Sequence, residues 1–227
     1  MVRRRKQPVR SAAEGERQKT ILRAAITVFS EKGYHGCRIA DVAREAGVAY
    51  GLVYHYFKDK EALLQSGFEV GWGGFVARVR EVAEAEAPIE EKVQRIVAVA
   101  FEAYRIDPRA VKVVLLEIAR NPTVGSLNRQ SAFIEVIQIA QRMFAQAQGK
   151  GELKPELEPL LCGAFLFGAI ELGLTTFVLG FMDRDSEESL QRARQQLTDC
   201  FLDGVLKIGE RRRSPMESAA VGRLKSY

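Results

Sequence analysis

The stretch Ile39-Ala40-Asp41-Val42-Ala43-Arg44-Glu45-Ala46-Gly47-Val48-Ala49-Tyr50-Gly51-Leu52-Val53-Tyr54-His55-Tyr56-Phe57 decides how the rest of the chain is read. It divides into two short helical pieces, 39–46 and 49–56, at Gly47-Val48. A turn too tight for a side chain is the place of Gly47. Ala43 is small where the first piece must approach the second, and Val42, Ala46, Val48 and Val53 supply an apolar wedge between them. The pair matches a helix-turn-helix, whose second helix enters the major groove of DNA. That second helix carries Tyr50, Leu52, Tyr54, His55 and Tyr56, a surface that a buried helix would not choose. Tyr and His each donate to phosphate oxygens while packing an apolar body. Lys60 opens the next helix, where the dipole disfavours a cation but favours a bound anion. A phosphate in front of it would explain the lysine; an ordinary exposed side chain is the plainer account.

Outward from this unit almost everything reads as helix. Residues 1–13 are basic and aperiodic, a flexible arm. From Glu14 to Lys32, Leu22, Ala25, Ile26 and Phe29 form a 3.6-period stripe, and Gly33 stops it. Asp59 can cap the helix that starts at Lys60, whose middle Gly71, Gly73 and Gly74 should loosen. Pro88, Pro108, Pro122, Pro155 and Pro159 punctuate the remainder into helices near 89–106, 109–120, 124–148, 157–181 and 186–209. The expectation is an all-α protein of about nine helices: a helix-turn-helix domain over 14–60, a larger helical ligand-binding and dimerisation domain over 61–210, and a basic tail over 211–227.

Leu160–Met182 is long enough to span a bilayer but holds Glu171 near its centre. A central carboxylate opposes insertion, and a helix apolar on nearly every face suits burial between its own core and a second subunit. Of the 227 residues, 47% are hydrophobic and 28% charged, a globular composition. Cys37, Cys162 and Cys200 form no patterned set, which points to a reducing, cytoplasmic compartment, and no apolar stretch follows Arg3-Arg4-Arg5-Lys6 to make a secretory signal. The net charge of +5 is uneven. Residues 1–60 hold thirteen Lys/Arg against six Asp/Glu, and the tail holds five against one, leaving an acidic body. A basic first quarter on an acidic body suits contact with a polyanion, although two solvated basic termini would look the same. Both histidines, His35 and His55, lie in that first quarter, so a histidine-dependent hydrolase or metal site in the body is excluded. No G-x-S-x-G or phosphate-binding glycine loop occurs. The reading is therefore no enzyme, no cofactor and no metal.

Gly33-Tyr34 with Ile39–Val48, Gly51–Phe57 and Lys58-Asp59-Lys60-Glu61-Ala62-Leu63-Leu64 closely resembles the DNA-binding domain of the tetracycline-repressor (TetR) family of bacterial regulators. The resemblance implies that Tyr54 and His55 lie near the DNA backbone, with Lys60 on a phosphate. It implies that Tyr50, Gly51 and Leu52 face base edges, and that Arg38 sits at the start of the first helix. Arg38 and Ala49 stand where family members usually carry Thr and Ser or Thr. Arg38 can bind phosphate but cannot cap a helix.

The resemblance also implies a variable C-terminal domain that binds a small molecule and dimerises through its last two helices. The sequence agrees: Leu190, Leu197, Phe201, Leu202 and Val205 stripe the last helix, so two helices per subunit could form a four-helix bundle. Candidate pocket walls are Phe101, Tyr104, Leu115, Phe133, Ile137, Phe144, Phe165 and Phe167, each of which could equally be plain core. Glu171 could meet a ligand or an arginine across a dimer interface. The segments Val114–Arg120 and Gly168–Thr176 look like those of the family's fatty-acid-degradation branch, which implies a long-chain acyl-CoA effector with Arg120 available to a CoA phosphate. Another apolar or amphipathic effector is the alternative, as is a constitutive architectural DNA-binding protein with a closed core.

Overall fold

The computed structural model describes residues 10–118 and 126–206, with the side chains of 10–12 and 117–133 outside the description. Over these residues the chain forms α1 (Arg10–Gly36), α2 (Ile39–Glu45), α3 (Tyr50–Tyr56), α4 (Lys60–Glu84), α5 (Ile89–Ile106), α6 (Pro108–Lys112), α7 (Ser126–Gly149), α8 (Pro159–Val178) and α9 (Glu187–Val205). A π-helical stretch, Val113–Ile118, continues α6. An isolated antiparallel bridge, Leu153–Leu206, joins the α7–α8 loop to the end of α9.

The boundaries follow local chemistry. In α1, Ile21, Leu22, Ala25, Val28 and Phe29 are buried at helical spacing. The helix begins at Arg10, so residues 10–13 are helical and not part of an irregular arm. Gly33 breaks α1 at φ 69°, and one further turn follows. Gly47 has φ 65°, a left-handed value that costs glycine nothing. A Cβ there would meet open space, so the glycine answers to backbone conformation, not to the crowding inferred from sequence. Asp59 caps α4 by accepting from the Ala62 N–H. Pro88 and Pro108 start α5 and α6, and Pro159 starts α8.

Two cores result. The first gathers α1–α3 with Leu63, Leu64 and Phe68 from the start of α4 and Val113 from the π stretch. The second gathers α5, α7, α8 and α9 around the rest of α4. Trp72 packs against both. Helix α4 is unbroken through Gly71, Gly73 and Gly74, where loosening was expected. Helices α7 and α8 approach closely, and a Cβ on Gly163 would lie 2.8 Å from the Ala140 Cβ.

Cations from elsewhere in the chain seal helix C-termini. Lys92 is buried and donates to the Ala83 carbonyl at the end of α4 at 2.8 Å. Arg184 donates to the Phe177 and Val178 carbonyls of α8, and Lys154 to Gly204 of α9. Each pairs a positive charge with the negative end of a helix dipole and satisfies carbonyls that have no helical partner.

Candidate functional site

Helix α3 is only seven residues long and is held by Val53, which is fully buried, and by Phe57 just after it. Anchoring this side leaves Ala49, Tyr50, Gly51, Tyr54 and His55 on an exposed face, with Leu52 half-buried. Tyr50 and Tyr54 are 54% and 44% exposed, unusual for tyrosines with a core at hand. Their hydroxyls lie 3.2 Å apart and their rings meet edge to face. That hydrogen bond holds the Tyr54 phenol above its ordinary pKa. The structure thus brings Ala49, Tyr50, Gly51, Tyr54 and His55 together on one outward ridge.

Arg38 is exposed at the start of α2. It supplies no side-chain cap; instead the Asp41 carboxylate accepts from the Arg38 backbone N–H at 3.1 Å. Asp41 also pairs with Lys32 and Arg44, and these contacts, led by Lys32, hold its carboxyl below the usual range.

Lys60 has a different setting from the one its position suggests. Its ammonium donates to the carbonyls of Tyr34 and Cys37, at 2.7 and 3.1 Å, and lies 4.3 Å from the centre of the Tyr34 ring. The charge opposes the dipole of its own helix but complements the C-terminal end of α1. The end of a neighbouring helix thus supplies acceptors for a lysine whose position suggested a phosphate in front of it. Burial pushes the adjacent Cys37 thiol up to about 11, leaving it unreactive at neutral pH.

The second core contains a cavity of about 350 Å³ between α4, α5, α7, α8 and the π stretch. Its walls are apolar: Trp72 and Phe75 of α4, Val114 and Leu115, Ile137 of α7, and Phe167 and Leu174 of α8. Among the described residues, Glu171 is the one charged group on its lining. Of the pocket walls expected from sequence, Leu115, Ile137, Phe167 and Glu171 line it. Phe101 and Tyr104 do not; they are buried in the packed core, Tyr104 against Phe177. Phe144 packs on Phe201. Phe165 faces outward and is 65% exposed, because it lies on the side of α8 opposite the buried Cys162, Leu166 and Ile170. Arg120 and the Phe133 side chain lie outside the described residues. Sequence reasoning missed Trp72 and Phe75. The signal for them is local: Trp72 and Phe75 are large aromatics three residues apart among Gly71, Gly73 and Gly74, a spacing that puts both on one face of α4.

Phe165 belongs to a row of exposed apolar side chains along α8 with Leu161, Leu172 and Leu179. The stripe on α9 is engaged inside the chain, with Leu190, Leu202 and Val205 buried and Leu197 and Phe201 packed on the second core. By length and composition α8 could cross a membrane, but in this fold its other side packs into the second core. Among the described residues no cluster of three His, Cys, Asp or Glu could hold a metal ion.

Two family models match the chain. Residues 21–66 match bacterial regulatory proteins of the tetR family, and residues 68–197 match the C-terminal region of YsiA-like proteins. The chain belongs to the tetR family of bacterial regulators. Its N-terminal unit is the family's helix-turn-helix domain, and the protein is a transcriptional regulator. It is 30% identical over 189 residues to the fatty acid metabolism regulator protein of Bacillus subtilis, covering 82% of this chain and 93% of that one. The solved structure of the fatty acid degradation regulator FadR from Bacillus halodurans superposes with a TM-score of 0.73 at 26% identity, covering 83% and 95% of the two chains. FadR from Bacillus subtilis in complex with stearoyl-CoA superposes with a TM-score of 0.72 at 27% identity, covering 82% and 98%.

Proposed function

We propose that the protein is a cytoplasmic repressor that binds a pseudo-palindromic operator as a homodimer and is released by long-chain acyl-CoA. The acyl chain would occupy the cavity between α4, α5, α7 and α8. The observation that carries this reading is the cavity itself, about 350 Å³ of apolar space whose wall residues Trp72 and Val114 also pack on the core of the helix-turn-helix unit. An apolar pocket of this size suits a hydrocarbon chain. Relatedness to a regulator whose structure holds stearoyl-CoA supports the same class of ligand. A constitutive architectural binder would need no such space, and regulation in place of catalysis fits the family.

On the DNA side, Tyr50, Gly51 and Leu52 would meet base edges, with Ala49, Tyr54, His55 and Arg38 near phosphates. Release follows from linkage: acyl-CoA must bind better to the conformation whose two recognition helices no longer match successive major grooves. Helix α4 links cavity to DNA, since its first turns belong to one core and Trp72 to both.

Trp72 is the chain's single tryptophan, so its fluorescence reports directly on the cavity. Palmitoyl-CoA should change its emission saturably and release the protein from operator DNA. At about a hundredfold excess over Kd it should stabilise the fold by about 2.7 kcal/mol. That corresponds to a rise of about 5–10 °C in melting temperature for a chain of this size. Unchanged emission, unchanged melting and undisturbed DNA binding would refute the effector assignment.

A further inference from the structure

The cavity between α4, α5, α7, α8 and the π stretch is uneven in its exposure. Ala100, Val136, Ile170 and Leu174 are buried and form its inner wall, whereas Gly71 of α4 and Glu171 of α8 are exposed and mark its mouth. Apart from Trp72, Glu171 is the one lining side chain among the described residues that carries a polar atom. An amphipathic ligand puts its hydrocarbon against the apolar wall and leaves its polar end at the opening. That polar end therefore meets Glu171.

What that end can be follows from what surrounds the carboxylate. Among the described residues no lysine, arginine or histidine lines the cavity, and the Glu171 carboxylate has no ion pair or hydrogen bond. The two hydroxyls next along α8 are already engaged: Thr175 donates to the Glu171 carbonyl and Thr176 to the Gly173 carbonyl, each at 2.7 Å. An anionic head group would find a like charge and no donor to receive it, which disfavours it where water is partly excluded. A head group with an N–H beside the hydrocarbon would find a strong acceptor. In an acyl thioester of coenzyme A the carbonyl carbon is followed by sulfur, two methylenes and an amide N–H, a donor close to the end of the acyl chain. A free fatty acid ends there in a carboxylate.

We infer that Glu171 sets the head-group class of the effector: it admits acyl thioesters, through the amide N–H of their thiol arm, and rejects free fatty acids of the same chain length. Specificity of this kind comes as much from a repulsive element against the wrong ligand as from attraction to the right one. The apolar walls cannot make the distinction, because both ligands present the same hydrocarbon to them, and it falls to the polar group at the mouth. A regulator built this way responds to the activated acyl chain and ignores the unactivated acid. The inference rests on the cavity being the effector site.

The test follows Trp72 emission while the protein is titrated with S-palmitoyl-N-acetylcysteamine, an uncharged thioester that carries the amide, and with sodium palmitate, both below their micelle concentrations. The wild type should bind the thioester and hold palmitate at least about tenfold more weakly. In Glu171→Gln the gap should narrow about tenfold through tighter palmitate binding, while thioester affinity changes by less than about fivefold. Glu171→Asp should keep the gap. Palmitate binding the wild type as tightly as the thioester, or a gap that Glu171→Gln leaves unchanged, would overturn the inference. So would a Glu171→Gln protein that sediments as a monomer with the gap unchanged, which would assign the carboxylate to the subunit interface. If neither the thioester nor palmitoyl-CoA alters wild-type emission, the effector site itself is wrongly placed and the inference falls with it.

Discussion

Lys60 shows how a residue can have partners that its position in the sequence does not advertise. Its two hydrogen bonds to the end of α1, charge-assisted but only half-buried, should contribute about 1–2 kcal/mol. Lys60→Met should therefore lower the urea midpoint of unfolding at unchanged slope. A variant of full stability that lost DNA affinity would return the lysine to a phosphate. Tyr50 and Tyr54 lie at the other extreme, large side chains in water with hydroxyls that meet. Tyr50→Ala should alter the sequence selected from a random duplex pool. Tyr54→Phe, which removes one hydroxyl and keeps the ring, should weaken binding to all sequences roughly equally, by several-fold in a gel shift. Exposed aromatics are legible in sequence because a short helix must place one side on its core. The direction of a long flexible lysine is not, because its acceptor lies twenty-six residues away.

At the scale of elements, α4 carries the link between cavity and DNA. A Cβ at Gly73 or Gly74 would meet nothing within 4 Å, so close packing does not account for either glycine. Each lowers helix stability by about 1 kcal/mol relative to alanine, although α4 stays unbroken beside Trp72. Gly73→Ala with Gly74→Ala should raise the melting temperature, and should raise the palmitoyl-CoA concentration needed to release operator DNA, because a stiffer helix resists the required tilt. Gly163 is the opposite case. With Ala140 at 2.8 Å, Gly163→Ala must push α7 and α8 apart and should cost about 1–3 kcal/mol in denaturant unfolding. The sequence offers the glycines of α4 only as helix weakeners; packing is what shows that Gly163 sits at a helix contact while Gly73 and Gly74 do not.

At the scale of the molecule, the exposed row on α8 needs cover. The proposed dimer places it against the partner's α8, with the polar outer face of α9 as rim. Leu172→Glu should yield a monomer in sedimentation velocity and lose most operator affinity, because one recognition helix then reads one half-site. A stable dimer of this variant would move the interface elsewhere.

Local rules were sufficient for the helical class, for most helix boundaries and for the recognition helix. Periodicity, proline, glycine φ and capping act within a few residues, and a chain carries them wherever it goes. Whether Phe165 points inward or outward, whether Trp72 walls a cavity, and whether Lys60 meets a carbonyl depend on which helices become neighbours. Those contacts join residues far apart in the chain, and no rule of spacing contains them.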